Sequence, residues 1–336
     1  MTSQTGVIGI SGPSSSGKTT LARLLQKIFS KVDESLFTFI VHEDDFYFPD
    51  DRIPYTTTAS GKTVQDWDTI DAIDVKFLSS ALSYVREHGH LPPRLKSIQD
   101  LNEKSDSGVD EETILQLQKK VGGRLCSLFQ QQQQQPGSRN EGTMAPVKHT
   151  IAFLEGFLLY SPPESEDKDH VLRPVHENID VHLFLPAPYD MVKSRRESRS
   201  GYVTSGPAPE PTSLPQRSSV SDEVDLEGDD DRPPQNFWTD PPGYVDDIVW
   251  PRYVQDHAWL FLPEGESQKS NTLSADSQEL LNQVGQGVNL RTNAGVIVAP
   301  GRGTKPMVDI LKWAVEEVLK YLETTHGESN ILEEHK

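Results

Sequence analysis

Residues 12–19 constrain the fold more than any other segment of the chain. They read Gly-Pro-Ser-Ser-Ser-Gly-Lys-Thr and fit the phosphate-binding pattern G-x-x-x-x-G-K-[ST] without a mismatch. In such a loop, successive backbone N–H groups turn toward an anion, the lysine reaches the β- and γ-phosphates, and the threonine hydroxyl can ligate Mg²⁺. The pattern therefore predicts a nucleoside triphosphate site. Its candidate residues are Gly12, Pro13, Ser14, Ser15, Ser16, Gly17, Lys18, Thr19 and Thr20.

Short apolar runs on both sides of this loop predict a parallel sheet. Their composition is typical of strands that are buried on both faces. They occupy residues 7–10, 36–41, 151–154, 181–185 and 296–298. Amphipathic helical patterns separate them, with the clearest at residues 70–85 and 310–322. The alternation predicts an α/β fold with a doubly wound, five-stranded parallel sheet, whose ligands bind at the carboxyl ends of the strands.

Charge and cysteine content argue against several classes of partner. The formal net charge is −19, whereas binding to nucleic acid or to an anionic membrane requires clustered Lys and Arg. The single cysteine, Cys126, cannot form an intramolecular disulfide and is typical of a reducing compartment. The N-terminus lacks a basic region, and no apolar run approaches the roughly 20 residues of a membrane span. We expect a cytoplasmic protein, with the nucleus as the alternative, that binds neither nucleic acid nor membrane. No protein partner can be inferred.

Three polar segments interrupt the predicted strands and helices. Residues 97–148 include six consecutive glutamines, residues 204–235 are rich in proline and then acidic, and residues 264–290 are rich in Ser, Gln and Asn. Such compositions bury too little apolar surface to offset the entropy of ordering the chain. We therefore expect a single domain over residues 1–336, interrupted by three disordered insertions without a catalytic role. A helical glutamine run or a partner-binding acidic segment is the alternative.

Carboxylates follow two of the predicted strands. The second strand ends in His-Glu-Asp-Asp-Phe-Tyr, which contains Asp44 and Asp45, and the third ends in Leu-Glu-Gly, which contains Glu155. Phosphoryl transfer to a hydroxyl requires a carboxylate that accepts the hydroxyl proton and lies beside Mg²⁺, and either aspartate fits this role. An apolar strand that ends in a carboxylate is typical of a Walker B group, which holds Mg²⁺ directly or through water. Glu155 is our candidate for that group.

Basic residues are concentrated in a predicted helix at residues 191–199. Arg195 and Arg199 are spaced i, i+4 and would share a helical face. Guanidinium groups can bind phosphate oxygens and offset the charge that develops during transfer. This helix therefore predicts an arginine-bearing lid over the triphosphate.

Asp68 lies just before the helix that is predicted to begin near Thr69. Aspartate is favoured as a helix N-cap, but a carboxylate at this place could also accept hydrogen bonds from substrate hydroxyls. The sequence leaves both interpretations open.

Six blocks of the sequence closely resemble nicotinamide riboside kinases, a family in the uridine-kinase-like branch of the P-loop kinases. The blocks read GISGPSSSGKTTLA, EDDFYFP, WD, LEGFLL, PYDMVKSRRESR and DPPGYVDDIVWPRY. They lie outside the main polar segments. The phosphate-binding loop is shared by the whole superfamily, whereas the Asp-Asp-Phe and Pro-Gly-Tyr blocks point to this family. The resemblance is to a fungal-type member with low-complexity insertions.

The resemblance implies 5′-phosphorylation of nicotinamide riboside, and of nicotinic acid riboside as well, in NAD salvage. It implies ATP and Mg²⁺ as cofactors, a small-molecule nucleoside as partner, and a sheet of the P-loop nucleoside and nucleotide kinase type. Asp44 would be the general base and, with Lys18 and Glu155, a catalytic residue. Thr19 and Asp44 would lie near Mg²⁺.

The resemblance also implies a nucleotide side and a substrate side. Arg195 and Arg199 would lie on the nucleotide side. The implied substrate residues are Asp44, Asp45, Phe46, Tyr47, Trp67, Asp68, Arg196 and Tyr202. Nicotinamide riboside has a cationic pyridinium ring, and stacking and cation–π attraction would favour its position between Tyr47 and Trp67. We expect these two rings to sandwich the pyridinium.

Two other functions remain open at this point. A uridine or cytidine kinase is the nearest alternative. A nucleotide-binding regulatory or scaffold protein with a degenerate site is the second, although such a protein would need neither Lys18 nor the arginine helix.

Overall fold

The fold alternates strands and helices, in a computed structural model that describes residues 4–33, 36–58, 60–102, 106–133, 149–208, 224–228, 233–261 and 291–333. The strands in this part of the chain are β1 (Gln4–Ser11), β2 (Leu36–His42), β3 (Tyr55–Thr57), β4 (Thr63–Gln65), β5 (His149–Gly156), β6 (Val181–Phe184), β7 (Tyr202–Thr204), β8 (Asn236–Trp238) and β9 (Val296–Val298). The α-helices are α1 (Lys18–Phe29), α2 (Val75–His88), α3 (Glu111–Gln133), α4 (Arg173–His176), α5 (Tyr189–Glu197), α6 (Trp250–Phe261) and α7 (Met307–Glu333). None of the helices in these ranges is long and apolar enough to cross a membrane.

Five strands form one parallel sheet in the order β2-β5-β1-β6-β9. The strand that leads into the phosphate-binding loop, β1, is central, with β5 and then β2 on one side of it and β6 and then β9 on the other. The predicted doubly wound, five-stranded α/β fold is confirmed. Because the strands are parallel, their carboxyl ends meet at one edge, where ligands bind in such sheets. The register places Ile10 and His42 beside Glu155 at this edge.

Apolar side chains of the sheet cover both of its faces. Ile8 and Ile10 pack with α1, α3 and α7, whereas Val7 packs on the opposite face with α2 and α6. Burial on both faces explains why the strands are apolar throughout instead of alternating. The buried residues of α7 follow the predicted helical spacing and are Ile310, Leu311, Ala314, Val315, Val318, Leu319 and Leu322.

Helix α3 differs from the expectation drawn from composition. It lies within residues 97–148, which we expected to be an insertion outside the core. Its buried residues are Ile114, Leu117, Val121 and Leu125. They recur every three or four positions and pack with residues of α1 and α7, and Arg124 adds ion pairs to two glutamates of α7. One apolar stripe is enough to hold a polar helix on the core. Residues 103–105 and 134–148 lie outside the described residues.

The strands that flank the second predicted insertion form a hairpin. β7 and β8 are antiparallel, with Tyr202 opposite Trp238 and Thr204 opposite Asn236. Asp50 fixes the outer end of this hairpin, because its carboxylate accepts hydrogen bonds from Thr204 Oγ1 (3.0 Å) and Asn236 Nδ2 (2.8 Å). The first residues of the predicted insertion therefore belong to a folded element.

Most of the remaining predicted insertions cannot be compared with the structure. Residues 209–223, 229–232 and 264–290 lie outside the described residues. Residues 224–228 are described, and the backbone carbonyl of Asp225 accepts a hydrogen bond from Arg94 (2.8 Å).

Replacement of Leu125 by alanine tests whether α3 belongs to the core. Leu125 is 1% exposed, and truncation of a buried leucine should lower the free energy of unfolding by about 2–5 kcal/mol. Leu115 lies on the same helix but is 54% exposed, so Leu115→Ala should change this free energy by less than about 0.5 kcal/mol. Urea denaturation followed by circular dichroism measures both variants. Equally small effects would contradict the packing of α3.

Candidate active site

The phosphate-binding loop connects β1 to α1 and has the backbone that its glycines predict. Gly17 has a φ of 102°, in the left-handed region that favours glycine. A Cβ atom at Gly12 would lie 2.2 Å from the carbonyl oxygen of Leu185, so a larger residue would displace the backbone there. Lys18 begins α1, and its ammonium group donates a hydrogen bond to the carbonyl of Pro13 (2.9 Å). This bond holds the lysine inside the loop.

The loop fits a polyphosphate. The hydroxyl oxygens of Ser15 and Ser16 are buried and have no hydrogen-bond partner among the described residues. The first N–H groups of α1 have no acceptor within the helix, and an anion at a helix N-terminus can accept from them. Burial lowers the pKa of Lys18, although the charges of Glu155 and Asp44 oppose this shift. A bound phosphate would compensate the buried lysine and accept from these donors.

Glu155 lies at the centre of the hydrogen bonds beside the loop. Its Oε1 accepts a hydrogen bond from Thr19 Oγ1 (3.0 Å) and lies 2.6 Å from Nδ1 of His42. Burial opposes ionisation of Glu155, but the hydrogen bond and charge of His42, followed by the charge of Lys18 and the Thr19 hydrogen bond, lower its pKa. An ionised carboxylate thus lies next to the threonine hydroxyl of the loop.

Asp44 and Asp45 differ in their surroundings. Asp44 lines the same cavity as the loop, and burial together with the charge of Glu155 raises its pKa to about 6. Such a group is ionised at neutral pH and still basic enough to accept a proton. Asp45 is buried, and its Oδ1 accepts a hydrogen bond from the backbone N–H of Ile98 (3.1 Å). Both aspartates line the cavity, and the hydrogen bond from Ile98 distinguishes Asp45 from Asp44.

Glu43 was not predicted as a site residue. It is fully buried, and its Oε2 accepts hydrogen bonds from the backbone N–H groups of Phe157 (2.6 Å) and Leu158 (3.1 Å). Burial raises its pKa to about 8, although these bonds lower it. A Cβ atom at Gly156 would lie 2.4 Å from the Glu43 carboxyl, which explains the glycine after the strand-end glutamate. Glu43 therefore holds the turn that brings Phe157 to the cavity.

Oxygen ligands beside the loop fit Mg²⁺. The Thr19 hydroxyl and the carboxylates of Asp44 and Glu155 all line one cavity. Mg²⁺ is usually held by one or two carboxylates together with substrate phosphates, not by a cage made of protein alone. In the part of the chain that the structure describes, no group of three or more His, Cys, Asp or Glu side chains is arranged to hold a metal ion. The donor set therefore suits a metal that is bound together with a nucleotide.

Helix α5 carries two of the predicted arginines but ends before the third. Arg199 lies two residues beyond its end, so Arg195 and Arg199 do not share a helical face as expected. Both nevertheless line the cavity. Arg195 donates a hydrogen bond to the carbonyl of Ser15 (3.3 Å), and the guanidinium of Arg199 lies 4.3 Å from the ring centroid of Tyr202.

Arg196 is buried and bound by two carboxylates. It donates to both oxygens of Asp68 (2.8 and 3.0 Å) and, through Nε and Nη2, to Asp240 (2.7 and 3.2 Å). Asp68 is therefore not a helix cap. The N-cap of α2 is Asp74, whose carboxylate accepts from the backbone N–H of Phe77 (2.9 Å), and α2 begins later than predicted.

Tyr47 and Trp67 do not form the expected sandwich. Their ring centroids are 5.4 Å apart and their planes meet at 73°, and the Tyr47 hydroxyl donates to the Trp67 carbonyl (2.9 Å). Two rings that enclose a third must be roughly parallel and about 7 Å apart, twice the carbon contact distance of about 3.5 Å. No ring fits between these two. They instead form adjoining parts of the cavity surface.

Phe46 and Tyr202 were both predicted to contact substrate. Phe46 is 1% exposed and packs edge-on against Phe77 in the core, which contradicts that prediction. Tyr202 does line the cavity, and the guanidinium groups of Arg196 (5.1 Å) and Arg199 (4.3 Å) lie over its ring.

One cavity of about 570 Å³ joins these groups. The residues that line its phosphate side are Ser14, Ser15, Ser16, Gly17, Lys18, Thr19, Thr20, Arg195 and Arg199. The residues that line its other side are Asp45, Tyr47, Trp67, Asp68, Phe157, Arg196, Tyr202 and Trp238. Asp44 and Glu155 line the same cavity, whereas Gly12 and Pro13 shape the loop without lining it. The arrangement can hold a polyphosphate and a small aromatic molecule together.

Curated proteins with similar sequences share one name, although no protein-family model matches the chain. The chain is 29% identical over 262 residues to the nicotinamide riboside kinase of Schizosaccharomyces pombe. The aligned residues cover 78% of this chain and 83% of the relative. The chain is 24% identical over 314 residues to the nicotinamide riboside kinase of Saccharomyces cerevisiae, covering 94% and 95%. It is 23% identical over 262 residues to human nicotinamide riboside kinase 1, covering 76% and 81%. The chain is therefore similar, over most of its length, to curated nicotinamide riboside kinases.

Several residues of the site were missed by the sequence analysis, among them Phe157, which lines the cavity. His42 and Glu43 directly precede Asp44, and their place at the end of a buried strand was a usable signal. Asp240 and Trp238 follow the long polar segment, where only the neighbouring Pro-Pro-Gly-Tyr block marks the return of the chain to the site.

Glu43→Gln tests the protonation of the buried glutamate. A pKa raised to about 8 in the folded protein means that Glu43 stabilises the fold below its ordinary pKa of about 4.5, and that this stability is lost as the pH rises toward 8. Glutamine cannot ionise, so the variant should lose less stability over the same range. The difference should grow between pH 5 and 8 to at most about 5 kcal/mol, because one pKa unit corresponds to about 1.4 kcal/mol. Thermal unfolding at several pH values measures it, and parallel curves for the two proteins would contradict the assignment.

Proposed function

We propose that this chain is an ATP-dependent kinase that phosphorylates the 5′-hydroxyl of nicotinamide riboside, and of nicotinic acid riboside, in NAD salvage. The observation that carries the proposal is the single cavity in which a phosphate-binding loop and a surface of aromatic rings and carboxylates meet. Asp44 is close enough to both Lys18 and Tyr47 to shift the pKa of each, and so connects the two sides. The names of the curated relatives support the same activity.

The phosphate side can perform the donor half of the reaction. ATP would lie in the loop, with Mg²⁺ held by Thr19 and Asp44, and the bound Mg²⁺ would neutralise charge on the transferring phosphoryl group. Glu155 orients the Thr19 hydroxyl through its hydrogen bond. Lys18, Arg195 and the neighbouring Arg199 supply positive charge where negative charge develops in the transition state.

The other side can orient the acceptor. Asp44 accepts the proton of the 5′-hydroxyl as that oxygen attacks phosphorus. Asp68 has both oxygens held by Arg196 and lines the cavity, which supports a role as acceptor of hydrogen bonds from ribose hydroxyls. Aromatic faces next to carboxylates favour a cationic base over a neutral one. This charge preference supports nicotinamide riboside over the pyrimidine nucleosides.

We further propose that residues 1–336 form one kinase domain in the cytoplasm. One five-stranded sheet is central in the described residues, and its two faces account for the larger part of the buried apolar side chains. Cys126 is exposed and is not part of a disulfide, as a reducing compartment would allow.

A kinase assay over several acceptors tests the substrate assignment. With ATP and Mg²⁺, kcat/KM for nicotinamide riboside should exceed that for uridine or cytidine by at least about tenfold, the scale of a desolvated cation–π contact. A preference for uridine would instead support the pyrimidine nucleoside kinase. Absence of turnover with every acceptor, in a folded protein that binds ATP, would support the regulatory or scaffold alternative.

Asp44→Asn tests the general base. Loss of proton acceptance should lower kcat by at least about 100-fold, since general-base catalysis contributes on this scale. Asp71→Asn is the matched control, because Asp71 is exposed and does not line the cavity, and it should retain kcat. Initial rates and melting temperatures of both variants provide the comparison. Near-normal kcat in Asp44→Asn would transfer the role to Asp45 or Glu155.

A further inference from the structure

Trp238 reaches the cavity from the end of β8. Its ring centroid lies 5.5 Å from that of Trp67, with the planes tilted by 46°, and 5.9 Å from that of Tyr244 in an edge-on arrangement. It lines the same side of the cavity as Tyr47 and Phe157, which stack on each other. Trp238 thereby extends a continuous row of aromatic rings along this side.

The orientation of the Trp238 indole is fixed from two directions. Its Nε1–H donates a hydrogen bond to Oδ1 of Asp240 (2.9 Å), and Asp240 is itself held by Arg196. Its backbone pairs with Tyr202 in the β7–β8 hairpin. A ring that is held both at its edge and through its backbone is preorganised, so a ligand does not have to order it on binding.

The charges near Trp238 suit a planar cation. Asp68 and Asp240 share the single guanidinium of Arg196, so this buried cluster keeps one net negative charge when both carboxylates are ionised. Asp45 adds a further carboxylate to the same side. A cation placed here would compensate that charge, and the face of a tryptophan ring is the best aromatic partner for a cation.

The side chain of Trp238 is also more exposed than that of Trp67. Trp67 is 5% exposed and packs edge-to-face with Tyr47, whereas Trp238 is half-buried and lines the cavity. Tyr47 and Trp67 cannot enclose a ring between them. Of the two tryptophans that line the cavity next to the negative cluster, Trp238 is therefore the more exposed.

We propose that Trp238 is a specificity-determining residue whose indole face receives the cationic base of the nucleoside, next to the negative cluster of Asp68, Asp240 and Arg196. The inference rests on the proposed function for the identity of the substrate. In this arrangement the hydrogen bond to Asp240 sets the orientation of the ring, while Tyr47 and Trp67 form the adjoining surface.

Two substitutions at Trp238 distinguish the contribution of the aromatic face from the contributions of side-chain size and of the indole N–H group. Trp238→Met removes the aromatic face but keeps a large, adaptable apolar side chain. Trp238→Phe keeps an aromatic face and loses the donor to Asp240. Phe237→Leu is the control, because Phe237 is the preceding residue on the same strand, is 52% exposed and does not line the cavity.

Calorimetric binding and steady-state kinetics with nicotinamide riboside, and with its neutral 1,4-dihydro form, measure the effect. Trp238→Met should weaken binding of the cation about tenfold, raise its KM and leave kcat largely unchanged, because the contact does not involve the reacting atoms. The neutral form should lose less than the cation. Trp238→Phe should retain more affinity for the cation than Trp238→Met, and Phe237→Leu should match the unmodified protein.

Three outcomes would overturn the inference. These are unchanged affinity for the cation in Trp238→Met, equal losses for the cation and the neutral form, and a loss in Trp238→Phe as large as in Trp238→Met. If the unmodified protein binds the cation without phosphorylating it, the proposed function fails, and the binding comparison still decides the role of Trp238. If the unmodified protein does not bind the cation, both are overturned.

Discussion

The phosphate side of the cavity depends on the buried carboxylate of Glu155. It lies on the central part of the sheet, where β5 is paired with both β1 and β2, and it therefore meets the loop after one strand and His42 at the end of the other. A carboxylate buried here costs free energy unless it is paired and hydrogen-bonded. His42, Thr19 and Lys18 supply that compensation. One of these contacts, the hydrogen bond from Thr19 to Glu155, also orients the Thr19 hydroxyl. The phosphate-binding motif predicts that this hydroxyl ligates Mg²⁺.

A second buried charge cluster, around Arg196, organises the other side of the cavity. Its two carboxylates come from the segment before α2 and from the segment after β8, so one guanidinium joins three parts of the chain that are distant in sequence. Tyr244 adds to this, because its hydroxyl accepts from the backbone N–H of Trp67 (2.9 Å), the residue before Asp68. Breaking such a cluster would leave a buried charge without its partner, which is more costly than losing an exposed ion pair.

The sequence was sufficient to predict the sheet and the phosphate-binding loop, because both depend on local patterns. Apolar runs identify buried strands, and the spacing of Gly, Lys and Thr in residues 12–19 reflects backbone geometry. Composition did not predict α3, because the helix is polar on average but packs on the core through a single stripe of apolar residues. Residue type alone cannot tell whether a phenylalanine contacts substrate or belongs to the core. Only the packing of Phe46 against Phe77 shows that Phe46 belongs to the core. Two further contacts could not be predicted from local patterns, because they join residues that are distant in the sequence. They are the ion pair of Arg196 with Asp240 and the edge-on contact of Tyr47 with Trp67.

The β7–β8 hairpin explains how a long polar segment can interrupt the chain so close to the site. The pair Tyr202 and Trp238 lines the cavity, and Thr204 lines it too. The pair Thr204 and Asn236 lies at the end of the hairpin from which the polar segment leaves. Asp50 binds both members of the outer pair and so closes the hairpin below the segment. Because loop-closure entropy grows slowly with length, additional residues beyond this closure cost little. The position of Trp238 is therefore held by the strand pairing of the hairpin and by the hydrogen bonds of Asp50, at the base of the segment that interrupts the chain.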